Sequence, residues 1–301
     1  MRCWILPVLL LLAVLCGPGC TTNPATGNSQ VNMLVESREI AIGEEASPEF
    51  LKEYGGDVDS PQILQYVRDI GHRLAKVSER PDLPWEFHVT DSSVINAFAL
   101  PGGKVFITRG LMKKFDSEAQ LAGVLGHEVG HVTAQHIGQQ MTQGLFVQVG
   151  LVGIGVASGV SDNDWVRVLG MGASTGGSVY LLSYGRKQEI QADKLGLRYM
   201  TKLGYSPVAQ IQVMRILGKA GKGPRSPEFF STHPYPENRI KKLEEVIPKR
   251  YPNYKKPGAF HFKHAEYKAA VLDRFKKMPP PKHLPKAKKK KALIGSSGHR
   301  G

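Results

Sequence analysis

The pentapeptide His127-Glu128-Val129-Gly130-His131 constrains this chain more than any other feature. Side chains four residues apart on an α-helix lie on one face, a turn from each other. Both imidazoles can therefore reach one divalent ion, at bonds of about 2.0–2.1 Å. Glu128 is rotated from His127 by roughly a third of a turn, which places its carboxylate beside the position left for water. The flanking residues support a helix. Ser117-Glu118-Ala119-Gln120 reads as a capping box. Leu121, Val124, Leu125, Val129 and Val132 supply apolar positions. Gly123, Gly126 and Gly130 are poor helix formers, so several of them on one helix predict a second element packed closely against it.

A catalytic zinc takes three protein ligands and keeps one position open, so the pentapeptide is one ligand short. Cys3, Cys16 and Cys20 are all N-terminal. The body can therefore form no internal disulfide, and its ligands must be His, Asp or Glu. Glu189-Ile-Gln-Ala-Asp193 lies on a helix expected from about Lys187 to Lys202 and stopped by Gly204. Alone, Glu189 and Asp193 read as a solvated helical face. Beside a motif lacking a ligand, they become candidates: Glu189 to ligate, Asp193 to accept the free ring N–H of a zinc histidine and fix its tautomer. His136, five positions beyond His131, falls off the metal-facing stripe and is left out of the ligand set.

The N-terminus reads as an export signal. Arg2 precedes an apolar run from Trp4 to Leu15, then Gly17-Pro18-Gly19-Cys20. The run is short for a membrane span. Small residues before Cys20 resemble a bacterial lipoprotein signal, although Gly17 stands where an aliphatic residue is usual. Cys20 would then be the acylated first mature residue, and several acyl chains hold a protein stably on a membrane. Thr21 fits an outer-membrane address. The expected organisation is a signal peptide (1–19), a lipidated linker with a helix (20–60), a zinc metallopeptidase domain (61–250) and a basic Pro/Lys-rich tail (251–301), disordered from 276.

Within this frame, Ile63, Val67, Ile70 and Leu74 recur at helical spacing. Phe87–Thr90, Val94–Leu100 and Lys104–Thr108 read as short strands, with Pro101-Gly102-Gly103 as a hairpin turn. An apolar run over 144–160 reads as a buried or interfacial helix. The fold class is α+β, mainly α, zincin-like, with a small antiparallel sheet. The net charge of +14 is concentrated in the tail, which has no Asp or Glu after residue 275. Such a tail suits anionic lipid. Nucleic acid is not an expected partner of an exported protein.

Four separated words carry a family resemblance: Asn96-Ala-Phe-Ala-Leu-Pro-Gly-Gly103, His127-Glu-Val-Gly-His-Val-Thr-Ala-Gln-His136, Gln188-Glu-Ile-Gln-Ala-Asp193 and Thr232-His-Pro-Tyr-Pro-Glu-Asn-Arg239. Together they resemble the CAAX-prenyl-protease-like family of zinc metallopeptidases, a glutamate-zincin family, and within it the soluble, secreted BepA-like and Oma-like branch. The resemblance implies one zinc ion per chain on His127, His131 and Glu189, with Glu128 as general base. It places Asn96, Ala97 and Phe98 on an edge strand where an extended substrate adds as a further strand. It puts His233 on a loop that can take the fourth metal position and shut the enzyme off. Arg239 falls near the site, and with His233 and Tyr235 it is a candidate donor to the tetrahedral oxyanion.

The implied function is hydrolysis of misfolded or unassembled envelope proteins. A zinc-binding chaperone or assembly factor with little proteolysis is the alternative. A purely structural zinc would close with four protein ligands and leave Glu128 without a purpose. Oligomeric state is not legible in the sequence.

Overall fold

The computed structural model describes residues 20–152, 184–221, 228–234 and 236–282. Seven long α-helices carry the described fold: α1 (Glu36–Glu53), α2 (Pro61–Lys76), α3 (Glu118–Thr133), α4 (His136–Val152), α5 (Arg186–Lys202), α6 (Val208–Ala220) and α7 (Pro236–Arg250). Every residue of α3 is buried, as expected of a helix at the centre of its domain. The stripe Ile63, Val67, Ile70 and Leu74 is buried on α2. α1 runs to Glu53, because Phe50, and Tyr54 just beyond its end, prolong the buried face set by Ile42.

The start of α3 falls at Ser117, as its sequence predicts, but the capping box does not form. The amides of Glu118 and Ala119 instead donate to Lys263 O (3.4 Å) and Phe262 O (3.1 Å). Gln120 Oε1 accepts from the Asp116 amide at 2.9 Å. A distant segment crossing the helix start satisfies the exposed N–H groups that a local cap would otherwise take.

Among the described residues, five strands make two sheets. β1 (Cys20–Thr22) and β2 (Ser29–Val31) form a short antiparallel ribbon. β3 (Glu86–Thr90), β4 (Ala97–Leu100) and β5 (Lys104–Thr108) form the second sheet in the order β3-β5-β4. β4 and β5 are the expected hairpin, closed at Pro101–Gly103 with Gly102 at φ 71°. β3 joins β5 in parallel, so the sheet is mixed. Phe98 stacks on Phe106 (centroids 4.8 Å) and lies 5.1 Å from the ring of Tyr54, which fastens α1 to the sheet.

The composition boundaries at 61 and 250 are not boundaries in packing. Leu34, Ile42, Phe50, Tyr54 and Val58 belong to the same core as Tyr267, Val271 and Phe275. Helical turns at His264–Tyr267, Lys268–Leu272 and Asp273–Lys277 follow one another without a break. Tyr267 Oη donates to Met112 O at 2.7 Å and Arg109 Nη2 to Phe275 O at 3.2 Å. The first part of the segment read as tail is thus held by apolar residues spaced among its lysines. The signal segment, the apolar run beyond Val152 and the tail beyond Lys282 lie outside the described residues. Among the described residues, no helix is long and apolar enough to cross a membrane.

Candidate metal centre

The site is built where α3 meets α5, and glycine makes that meeting possible. A Cβ on Gly196 would lie 2.7 Å from His127 N and 2.8 Å from Gly126 C. One on Gly130 would lie 3.0 Å from Ala192 O. The predicted close approach is therefore between backbones, and it draws the histidines of α3 and the carboxylates of α5 into one cluster.

His127, His131, Glu189 and His233 each offer a ligand atom within 4.8 Å of all the others. His131 Nε2 is 3.0 Å from His127 Nε2 and 3.3 Å from Glu189 Oε1. His233 Nδ1 is 3.3 Å from His127 Nε2 and 3.0 Å from Glu189 Oε1. Bonds of about 2.0–2.1 Å directed tetrahedrally put ligand atoms roughly 3.3 Å apart. Four of the six edges of the cluster, at 3.0–3.3 Å, match that spacing. Three imidazoles and a carboxylate suit zinc in chemistry as well as in size. His233, on the segment after the turn Phe229–Thr232, stands at the fourth corner.

Glu128 is fully buried beside this cluster, and neither carboxylate oxygen has a hydrogen-bond partner among the described residues. Its Oε1 lies 3.5 Å from His233 Nε2. Burial raises its pKa, against the pull of His233 and His127. Burial also opposes ionisation of Glu189, but Arg239 and His233 outweigh it and hold that carboxyl well below its ordinary range. Asp193 is likewise buried, and Arg239 and His127 bring it down to about 2. For His233, burial favours the neutral ring, yet Glu189 and Glu128 prevail and raise its pKa.

Asp193 stands where the sequence predicts, with Oδ1 3.0 Å from His127 Nδ1. Arg239 does not stand as a free oxyanion donor. Its Nε and Nη2 bind Asp193 at 2.7 and 2.6 Å, and Nη1 contacts Glu189. It neutralises the two carboxylates of α5, with Nη2 3.4 Å from His127 Nε2. Tyr235 lies outside the described residues.

Asn96, Ala97 and Phe98 lie at the edge of the sheet but are at most 2% exposed. The amide of Phe229 donates to Ile95 O at 3.3 Å, and Asn96 Nδ2 donates to Glu228 Oε1 at 3.1 Å. The segment carrying His233 is therefore tied to the entry of the same edge strand.

Two groups at the site carry no sequence signal of their own. Tyr184 stacks on the His131 ring at 3.7 Å and its amide donates to Thr232 O at 2.9 Å. His136, set aside as a ligand, lies against the far side of His131. Both positions arise from chain returns that no local pattern encodes.

Comparison with known proteins agrees with this geometry. The model of peptidase family M48 matches residues 61–247, which include all four donors, Glu128 and Arg239. The chain belongs to peptidase family M48. This M48 chain is 28% identical over 227 residues to the beta-barrel assembly-enhancing protease of Escherichia coli (strain K12), covering 73% of this chain and 46% of that protein. It is 30% identical over 248 residues to the mitochondrial metalloendopeptidase OMA1 of Schizosaccharomyces pombe, covering 79% of this chain and 69% of that one. The bovine mitochondrial metalloendopeptidase OMA1 is 28% identical over 240 residues, 75% of this chain and 46% of that protein. The M48 chain thus spans a little under half the length of several curated relatives.

Proposed function

We propose that this chain is a zinc-dependent endopeptidase, with His127, His131 and Glu189 holding the ion and Glu128 acting as general base. The observation that carries this reading is the convergence of the three donor side chains from α3 and α5 on one point, with an otherwise unbonded carboxylate beside them. Bound zinc would supply Lewis acidity, lowering the pKa of water and polarising the scissile carbonyl. Glu128, whose oxygens have no hydrogen-bond partner among the described residues, takes the proton of the attacking water and returns it to the leaving amine. Asp193 holds His127 by its Nδ1, and Arg239 keeps Asp193 and Glu189 charged and in place.

The described arrangement is closed. His127, Glu128, His131, Glu189, His233 and Arg239 are all buried. Substrate reaches them once the Glu228–His233 segment withdraws, which frees the fourth corner of the donor set and the edge strand in one movement. An edge that binds backbone favours extended, unfolded segments. One relative is named for enhancing β-barrel assembly, which supports unassembled envelope proteins as the substrate class.

The test is metal analysis of the purified chain with casein cleavage, with and without chelator. Wild type should contain about one zinc and cleave, and E128Q should keep the metal while losing about 10²–10⁴-fold in rate. A metal-free wild type, or E128Q with undiminished cleavage, refutes the assignment. Zinc without cleavage, and full biological function in E128Q, would mark the chaperone alternative. We further propose export and anchoring to the outer membrane through Cys20, with the basic tail against anionic lipid. Cys20→Ala should then move the protein from the membrane to the soluble fraction, and unaltered partitioning would exclude the anchor.

A further inference from the structure

His136 is fully buried and touches a proposed zinc ligand from behind. Its Nδ1 lies 3.0 Å from His131 Nδ1, and its Nε2 lies 3.1 Å from Gln191 Oε1. Five residues along a continuous helix would carry it away from His131. The helix is not continuous. α3 ends at Thr133, Gln135 takes a left-handed conformation (φ 56°), and α4 begins at His136 with its ring turned back on His131. Gln135 is held there by bonds from Gln30 Nε2 (2.7 Å) and to Glu39 Oε1 (3.2 Å).

The donors and acceptors in this row determine one another. A glutamine Oε1 can only accept, so His136 Nε2 carries the hydrogen. A neutral imidazole has one N–H, which leaves His136 Nδ1 as a lone pair. The facing His131 Nδ1 must then be the donor. That leaves His131 Nε2 bare, and Nε2 is the atom aimed at His127 and Glu189. The opposite tautomer would point an N–H at the cation and could not ligate it.

We propose that His136 is a positioning residue for the metal: it fixes His131 in the Nδ1–H tautomer, and Gln191 in turn fixes His136. The inference rests on the proposed zinc site. It makes the two ligand histidines unlike. His127 is oriented by the carboxylate of Asp193, whereas His131 is oriented by a neutral ring. Gln191 lies between Glu189 and Asp193 on α5, so one helix supplies a ligand, the orienting group of one histidine and the tautomer lock of the other.

The experiment measures zinc affinity of the full chain by competition with a chelator of known affinity, with thermal unfolding as a check on folding. H136F retains a ring but no acceptor, and it should weaken zinc binding by about 10–100-fold. H136N places an amide oxygen near the lost Nδ1, and it should recover most of that loss. H136F binding zinc as tightly as wild type overturns the inference, as does H136N binding no better than H136F. Should either variant fail to fold, long-range ¹H–¹⁵N spectra of zinc-loaded wild type decide. The proton is expected on His136 Nε2 and on His131 Nδ1. A proton on His136 Nδ1 overturns the inference. Wild type that takes up no zinc overturns the proposed function as well, so the two failures are told apart.

Discussion

His233 sits between two carboxylates, with Nδ1 on Glu189 and Nε2 facing Glu128. In the proposed site one ring would thus take the fourth donor position and lie against the proposed base. Removing it should expose both. His233→Ala is expected to raise casein cleavage by about tenfold if closure is favoured by about 1.4 kcal/mol, with zinc still bound by the remaining three donors. Cleavage equal to or below that of wild type, at full zinc content, would contradict the blocking role. At this scale the sequence was legible for His127, Glu128 and His131, because their relation is local and set by helical spacing. Asp193 was legible by the same spacing from Glu189. Arg239 was recognised as near the site but not in its place, since its partners lie on another helix.

Between elements, the decisive contact is α3 on α5, where glycines leave the backbones in touch. Gly196→Ala adds a methyl 2.7 Å from His127 N, and backbone cannot yield as a side-chain tip can. The expected cost is about 1–3 kcal/mol, read in urea unfolding, together with weaker zinc binding as the ligand helices part. Gly218→Ala on α6 is the control. A Cβ there meets nothing within 4 Å, and the substitution should stabilise by about 0.4–1 kcal/mol. Equal effects at the two glycines would refute the packing argument. The glycines of α3 announced a close neighbour, but Gly196 on α5 gave no such signal. The helical spacing of α2 was legible because its apolar stripe runs along most of its length. The start of α3 was placed correctly for a reason that did not hold: its amides are satisfied by Lys263 and Phe262, not by a local cap.

Across the whole molecule, the C-terminal segment is joined to the body at Glu118. This buried carboxylate accepts from Tyr205 Oη, Tyr66 Oη and, at 3.0 Å, Lys263 Nζ. Burial opposes its ionisation, but these three donors outweigh burial and lower its pKa below 4.5. A carboxyl with a folded pKa below its unfolded one stabilises the fold fully above the unfolded value, and the contribution disappears as pH falls through the folded value. Glu118→Gln should therefore be less stable than wild type at neutral pH, and the difference should shrink as pH falls below about 4.5. A gap in urea midpoint that is constant with pH would remove Glu118 from this role. Taken alone, the sequence determined the family and singled out the residues of α3 and α5 that cluster, because these depend on residue chemistry at fixed helical intervals. Only the tertiary structure decided that residues 20–60 and 251–277 share the core, that the segment carrying His233 is tied to the entry of the edge strand, and that His136 stands behind His131. Those outcomes depend on which distant surfaces bury each other, and apolar burial has no direction along the chain that spacing could record.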